Sequence, residues 1–407
     1  MLKDEELGVI ERVTDEAGPW VSPLVIVPKP RNPSEIRVCV DMREANKAIK
    51  RERHLTPTIS EIISDLNGAS FFSKLDLNQG YHQLVLDEQS RYITTFSTHV
   101  GLWRYKRLNF GINSAAEVFQ MAITNALKGL QGVLNVSDDI LVYGKTKEEH
   151  DLNLKKVLQR LREKGLTLNR TKCVFNKQNL EFFGYVFSKE GISPDPKKVS
   201  AIRNLKVPTN VSMVRSLLGM TNFFSRFIKD YSSLTQPLRC LTKKNAKFEW
   251  NKKQDDAFKV LCTALTTAPV LSYFDTENNS YIYVDASPVG LGAILVQEEG
   301  SKKSTVAYAS RSLTEVEQRY SQTEREALAV IWACEHFHIY IYGKPVTVVT
   351  DHKPLTHIFN NPNSKPPARI ERWAMRLQPY DAVIKYSSGE SNPADYLSRN
   401  PSFFKRV

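Results

Sequence analysis

Cysteine is sparse in this chain, and what there is stands alone. Cys39, Cys173, Cys240, Cys262 and Cys334 are scattered without paired spacing, which excludes a disulfide framework and a structural zinc site. No apolar run is long enough to span a bilayer, and no signal peptide opens the chain. The expected setting is therefore intracellular, reducing and cytoplasmic, with no membrane partner. The start is abrupt: Met1 is followed at once by charged, helix-prone residues, as if a longer protein were entered part-way. Disorder is excluded as well, because 41% of the residues are hydrophobic and 10% aromatic. The 407 residues suffice for two to four domains.

Charge of one sign is in excess. The net charge is +12 and the sequence pI about 9.3, a balance that favours a polyanionic partner. Residues 144–260 hold 25 Lys and Arg against 11 Asp and Glu, a net +14, so the remainder nets −2. One central basic block is what a surface tracking phosphates needs; a solvated, solubilising face is the plainer alternative.

The chemistry is expected at Leu134-Asn135-Val136-Ser137-Asp138-Asp139-Ile140-Leu141-Val142-Tyr143. β-prone residues flank a Ser-Asp-Asp core, which reads as two short strands joined by a tight turn. Burying unpaired carboxylates costs several kcal/mol or more. They are tolerated there when a cation, most simply a divalent metal, sits between them; a water-exposed Asp-Asp turn is the other reading. Phe71–Leu77 reads as a strand ending on Asp76, after which Asn78–Gln83 turns away. Three acids from two segments could hold two Mg²⁺ about 3.5–4 Å apart, the arrangement that stabilises attacking and leaving oxygens in phosphoryl transfer.

Upstream, Val21–Val27 and Ile36–Val40 read as a hairpin around a proline-rich turn at 28–33. It carries Lys29 and Arg37, which could converge on a triphosphate. Leu108–Ala116 leads into an amphipathic helix with apolar residues at 118, 119, 122 and 126, capped by Asn113 or Ser114. Lys147–Glu163 is a second helix, ended by Gly165. Leu180–Val186 reads as a strand, Lys189-Glu190-Gly191 as a turn, and Ser212–Ile228 as a basic helical segment.

Composition shifts after Pro269. Tyr281–Asp285 ends a strand on an acid, Leu291–Gln297 and Val306–Tyr308 are further strands, and Glu324–Trp332 is helical. Val346–Asp351 is another strand ending on an acid, and Pro393–Ser398 a short helix containing Asp395. The order β-β-β-α-β-α implies a mixed sheet with a carboxylate cluster at one edge.

These residues resemble the polymerase–ribonuclease H segment of a gypsy-type long-terminal-repeat retrotransposon polyprotein, from about Leu7 to about Ser398. The matching motifs, in order, are Ser22-Pro23, Arg37–Arg43, Lys74–Gln83, Asn109-Phe110-Gly111, Ser137-Asp138-Asp139, Phe183-Gly184, Val284–Ser287, Glu324–Ala327, Thr350-Asp351-His352 and Asn392–Asp395. The resemblance implies a multidomain α/β (α+β) protein. Right-hand fingers and palm would occupy residues 1–165, the palm end, thumb and connection 166–275, and a ribonuclease H-like mixed-sheet domain 276–400, with a tail at 401–407. It implies Asp76, Asp138 and Asp139 as polymerase catalytic and metal-binding acids, and Asp285, Glu326, Asp351 and Asp395 as those of the nuclease. Each set would hold two Mg²⁺, with Mn²⁺ as a substitute. Tyr81 would crowd the sugar 2′ position, Lys29 and Arg37 would clamp the triphosphate, and Phe182, Phe183 and Gly184 would hold the primer end. Gln83, Phe110 and Gly111 would line the substrate site. The implied partners are an RNA template, a DNA primer, dNTPs and RNA–DNA hybrid, told apart partly by the 2′-hydroxyl. The implied context is a larger polyprotein with protease and integrase, and a homodimer is compatible with it.

The chain departs from the pattern at Val136, where an aromatic is usual, and at Asn109 and Ala116, where prolines are usual. Losing prolines loosens the turn before the helix that backs the templating base pair. Tyr386-Ser387-Ser388-Gly389 stands where other families have a catalytic histidine loop. Two rival readings follow: a remnant that only binds nucleic acid, and a chain that retains only the nuclease.

Overall fold

β-branched residues form an antiparallel ladder of two strands, β1 (Leu24–Lys29) and β2 (Asn32–Val40). The structure, a computed structural model, describes residues 2–15, 18–29, 32–51, 58–203 and 205–388, and within these not the side chains of 2, 29, 32–35, 37 and 203. In the hairpin Val27 pairs with Arg37, and the register shifts between Pro28 and Lys29. β1 starts later than the expected Val21; Ser22 instead makes an isolated bridge to Phe96.

β3 (Phe71–Asp76) lies between two neighbouring strands and buries residues on both of its faces, Phe72 and Leu75 among them. Helix α1 (Ala115–Leu127) follows, with Ser114 in the capping position but making no side-chain cap bond. Strands β4 (Val133–Val136) and β5 (Asp139–Gly144) form the expected tight hairpin, with Val136 opposite Asp139. Ser137 takes φ 52° to make the turn. Helix α2 (Lys147–Glu163) has the bounds the periodicity predicts, capped by the Thr146 side chain accepting from the Glu149 amide. Gly165, at φ 69°, ends it. With β6 (Val174–Lys177) the sheet order is β4-β5-β3-β6. Leu75, Phe119, Ile123, Ile140, Val157 and Leu161 make its core with the two helices.

The run expected as one strand at 180–186 is two, β7 (Leu180–Phe182) and β8 (Tyr185–Ser188). Phe183 and Gly184 both have positive φ, 48° and 78°, and turn the chain between them. β9 (Gly191–Pro194) completes a three-stranded sheet. The basic segment at 212–228 is likewise split, into α3 (Val211–Asn222) and a 3₁₀ turn at Ser225–Phe227.

The last sheet is built from β10 (Asn279–Ala286), β11 (Gly290–Glu299), β12 (Lys302–Ser312), β13 (Pro345–Thr350) and β14 (Asp381–Tyr386), in the order β12-β11-β10-β13-β14. β13 runs parallel to both of its neighbours. Helix α4 (Gln322–His336), between β12 and β13, begins with a Ser321–Glu324 capping box and buries Ala327, Val330 and Cys334 on this sheet. β14 and the helix before it, Ala368–Leu377, extend the expected pattern. The helix expected at 393–398 lies outside the described residues. Contacts divide the chain into two units: Met1–Ile62 with Gly68–Leu180, and Ile63–Asn67 with the residues from Glu181 on. Each mixes helices and sheets, an α+β architecture.

Candidate functional site

Antiparallel pairing creates the first acidic group. Asp76, the last residue of β3, lies directly opposite Asp139, the first of β5, where cross-strand side chains share one face. Asp138 occupies the adjoining turn, and its carbonyl accepts from the Leu77 amide at 2.9 Å. Burial, and then the charges of Asp76 and Asp139, push the Asp138 carboxyl above its ordinary pKa, with Lys172 opposing. Two lysines balance the acids: Lys74 meets Asp139 at 2.9 Å and Lys172 meets Asp76 at 3.4 Å.

Among the described residues no three His, Cys, Asp or Glu side chains are already gathered as a metal-binding group. The residues nevertheless fit a divalent cation. Asp138 Oδ1 is buried with no hydrogen-bond partner, although buried oxygens are normally paired. A methyl group at Gly80 would overlap the Asp138 carboxylate, so glycine preserves the space beside it. Hard carboxylate oxygens suit Mg²⁺, which retains waters and takes few protein ligands.

Sequence reasoning missed what holds the turn. Gln120 of α1 is 1% exposed. Its Oε1 accepts from the Ser137 amide at 2.8 Å, and its Nε2 donates to the Asn135 carbonyl at 3.1 Å. Gln120 follows Phe119 on the buried face of α1, which is the one available signal: a polar residue at a core position.

Tyr81 lies on the 3₁₀ turn Gly80–Gln83. Its ring is 4.8 Å from Phe110 and 5.3 Å from Phe119; burial and the nearby Asp138 charge raise its phenol pKa. Phe110 is 57% exposed, and Gly111 after it needs φ 98°. Asn46 braces this loop, donating to the Gly111 carbonyl at 2.8 Å and accepting from the Asn113 amide at 2.9 Å. Asn109 is buried, and its Oδ1 has no partner. The Gln83 side chain is fully engaged: Nε2 donates to the carbonyls of Asn78 and Thr167, and Oε1 accepts from the Thr167 amide at 2.7 Å. It braces the chain just beyond Asp76.

Arg37 and Lys29 stand on the β1–β2 hairpin, and their side chains lie outside the described residues. At the β7–β8 turn, Phe182 is 1% exposed and packs inward, whereas Phe183 is 41% exposed beside Gly184. Tyr185 stacks on Phe223, and the Lys198 ammonium lies 5.1 Å from the Phe223 ring.

The second acidic group rests on parallel pairing. Tyr283 of β10 pairs with Val349 of β13, and two residues beyond each partner the chain reaches Asp285 and Asp351. Glu326 of α4 is 2% exposed. Burial, then the charges of Asp351 and Asp285, push its carboxyl up to about 8. Its Oε1 accepts from Gln322 Nε2 at 2.6 Å, and its Oε2 is buried without a partner. Three acids with one orphaned oxygen again fit a divalent cation. The fourth expected acid, Asp395, lies outside the described residues.

These groups coincide with two known families. A model of "Reverse transcriptase (RNA-dependent DNA polymerase)" matches residues 27–187, and one of "RNase H-like domain found in reverse transcriptase" matches residues 275–380. The chain is 38% identical over 385 residues to the Pol polyprotein from transposon 412 of Drosophila melanogaster, covering 93% of this chain and 31% of that polyprotein. It is 33% identical over 420 residues to that from transposon gypsy of the same organism, covering 98% and 39%. It is 31% identical over 383 residues to the Tf2-3 polyprotein of Schizosaccharomyces pombe, covering 93% and 29%. It thus spans about a third of the length of these relatives. Its fold is similar to a foamy viral protease–reverse transcriptase solved with double-stranded DNA, at 22% identity and TM-score 0.83, covering 94% of this chain and 68% of that one. A second structure of that protein, with an RNA/DNA hybrid, gives TM-score 0.78 at 22% identity, covering 95% and 52%. The chain thus carries a reverse transcriptase domain and a ribonuclease H-like domain, and over most of its length it is similar to the Pol polyproteins of gypsy-type retrotransposons.

Proposed function

We propose that this chain copies RNA and DNA templates into DNA from a DNA primer and dNTPs, and cuts the RNA strand of the hybrid it makes. The observation that carries this reading is the Asp76–Asp139 register pair with Asp138 in the adjoining turn. Residues 1–165 serve as fingers and palm, 166–275 as palm end, thumb and connection, and 276–400 as the nuclease. The natural setting is a cytoplasmic retroelement particle, with protease and integrase in the same polyprotein; self-association into a homodimer is part of the proposal. Among the described residues no helix is long and apolar enough to cross a membrane.

In the polymerase site, Asp76, Asp138 and Asp139 would hold two Mg²⁺, or Mn²⁺ in their place. When bound, the ions supply the charge that activates the primer 3′-hydroxyl and steadies the departing pyrophosphate. The chain's own residues do the positioning. Lys29 and Arg37 hold the triphosphate as a point charge and a planar fork. The Tyr81 ring, backed by Phe119, fills the space a ribose 2′-hydroxyl needs. Phe183 and Gly184 set the primer end. In-line alignment of the 3′-oxygen with the α-phosphate provides much of the rate. In the nuclease site, Asp285, Glu326, Asp351 and Asp395 would hold the second pair of ions, and water attacks the RNA phosphodiester, breaking one P–O ester bond so that the departing sugar oxygen leaves as a hydroxyl.

The test is primer extension on an RNA template by the purified chain with Mg²⁺, beside cleavage of a labelled RNA–DNA hybrid. Extension and cleavage together support the reading. Cleavage alone would leave only the nuclease, and neither would leave a nucleic-acid-binding remnant.

A further inference from the structure

The first turn of α4 carries a side chain with no part in the proposed chemistry, yet both ends of its amide are hydrogen-bonded. Gln322 precedes Glu326 by four residues and so lies on the same face of the helix. Its Nε2 donates to Glu326 Oε1 at 2.6 Å and, at 3.4 Å, to the carbonyl of Ala286, the residue after Asp285. Its Oε1 accepts from Arg325 Nη2 at 2.7 Å. A guanidinium can only donate. Arg325 therefore fixes which end of the amide faces Glu326: the oxygen points to Arg325 and the NH₂ to the carboxylate.

We propose that Gln322 is a positioning residue of the nuclease site. By occupying Oε1 it leaves Oε2, the oxygen without a partner, as the one Glu326 presents toward Asp285 and Asp351. By reaching Ala286 it ties the helix that bears one acid to the strand that bears another. A carboxylate with both oxygens unheld would rotate about its last torsion, which is broad; Gln322 removes that freedom before any ion arrives. Side chains that orient metal ligands typically change metal affinity or activity by about 10–100-fold when removed. The inference rests on the reading of Asp285, Glu326 and Asp351 as the nuclease metal site.

The test reads metal binding locally and without turnover. Hydrogen exchange of the peptide covering residues 321–330 is followed across a Mg²⁺ titration of the full chain, free of nucleic acid. Gln322→Met keeps the side-chain length and removes the amide. It is expected to raise the Mg²⁺ midpoint of protection by at least ~10-fold while leaving KM for a hybrid unchanged. Arg325→Met, which lets the amide flip, is expected to shift the midpoint the same way by less. An unmoved midpoint would overturn the proposal, and a raised KM with an unmoved midpoint would make Gln322 a substrate contact instead. If the unsubstituted chain showed no Mg²⁺-dependent protection in this peptide, or if Glu326→Gln left that protection intact, the metal site itself would fall, and the role of Gln322 with it.

Discussion

Glu326 shows what a buried acid does before it meets a cation. Its carboxyl is held at about 8 in the fold, against an ordinary value of 4.5 that it recovers when the chain unfolds. Between those values the folded chain binds more protons than the unfolded one. Stability therefore falls as pH rises from about 4.5 through about 8. Urea unfolding in EDTA at pH 5 and pH 8 is expected to show a decline on the order of a few kcal/mol from this group, and Glu326→Gln is expected to flatten it. An equal decline in the variant would place the titration elsewhere. Gly80 makes the matching point in the polymerase site. Gly80→Ala puts a methyl group into the Asp138 carboxylate, and displacements near 1 Å at reacting groups cost about 100-fold. Extension is expected to fall by roughly that factor with hybrid cleavage intact; normal extension would show that the carboxylate does not need its present place. At Tyr81, substitution by Val is expected to admit ribonucleotides in single-nucleotide incorporation assays, and unchanged sugar selectivity would remove that assignment.

At the scale of elements, both acidic groups share a construction: a strand end supplies one acid, and a glutamine on a helix secures another. Gln120 holds the Ser137-Asp138 turn from α1 as Gln322 holds Glu326 from within α4. Gln120→Leu removes the donor to the buried Asn135 carbonyl as well as the acceptor of the Ser137 amide, which costs about 1–3 kcal/mol for the stranded carbonyl, and is expected to lower both the urea midpoint and the extension rate. An extension rate unaltered after correction for the folded fraction would limit Gln120 to stability. Such bracing was not legible in the sequence, because a hydrogen bond between α1 and a turn seventeen residues later leaves no local pattern. Local patterns were legible. The β4–β5 hairpin, α2 with its glycine end and the acids closing β3 and near the ends of β10 and β13 follow from β-prone runs, helical periodicity and turn residues. Leu180–Val186 misled because its apolar run continues through Phe183, and only the backbone reveals the positive φ at Phe183 and Gly184 that breaks it. β14 escaped notice because its parallel partner β13 lies some thirty residues upstream and parallel pairing leaves no hairpin signal. Nor does a local pattern reveal that the Gln83 amide ties Asn78 to Thr167, a residue far along the chain.

For the whole molecule, the central basic block of net +14 over residues 144–260 predicts that affinity for an RNA–DNA hybrid falls steeply with salt, since each neutralised phosphate releases counterions. A flat dependence, measured by fluorescence anisotropy between 50 and 200 mM salt, about the range over which such contacts weaken most visibly, would reduce that block to solubilising surface. Two acidic groups built on two different sheets also predict two activities that can be lost separately. The most direct measurement assays primer extension and hybrid cleavage side by side for Asp139→Asn and Glu326→Gln, each checked for folding by its urea midpoint. The account predicts that the first variant loses extension and keeps cleavage, and that the second does the reverse. Loss of both activities from either folded variant would contradict it.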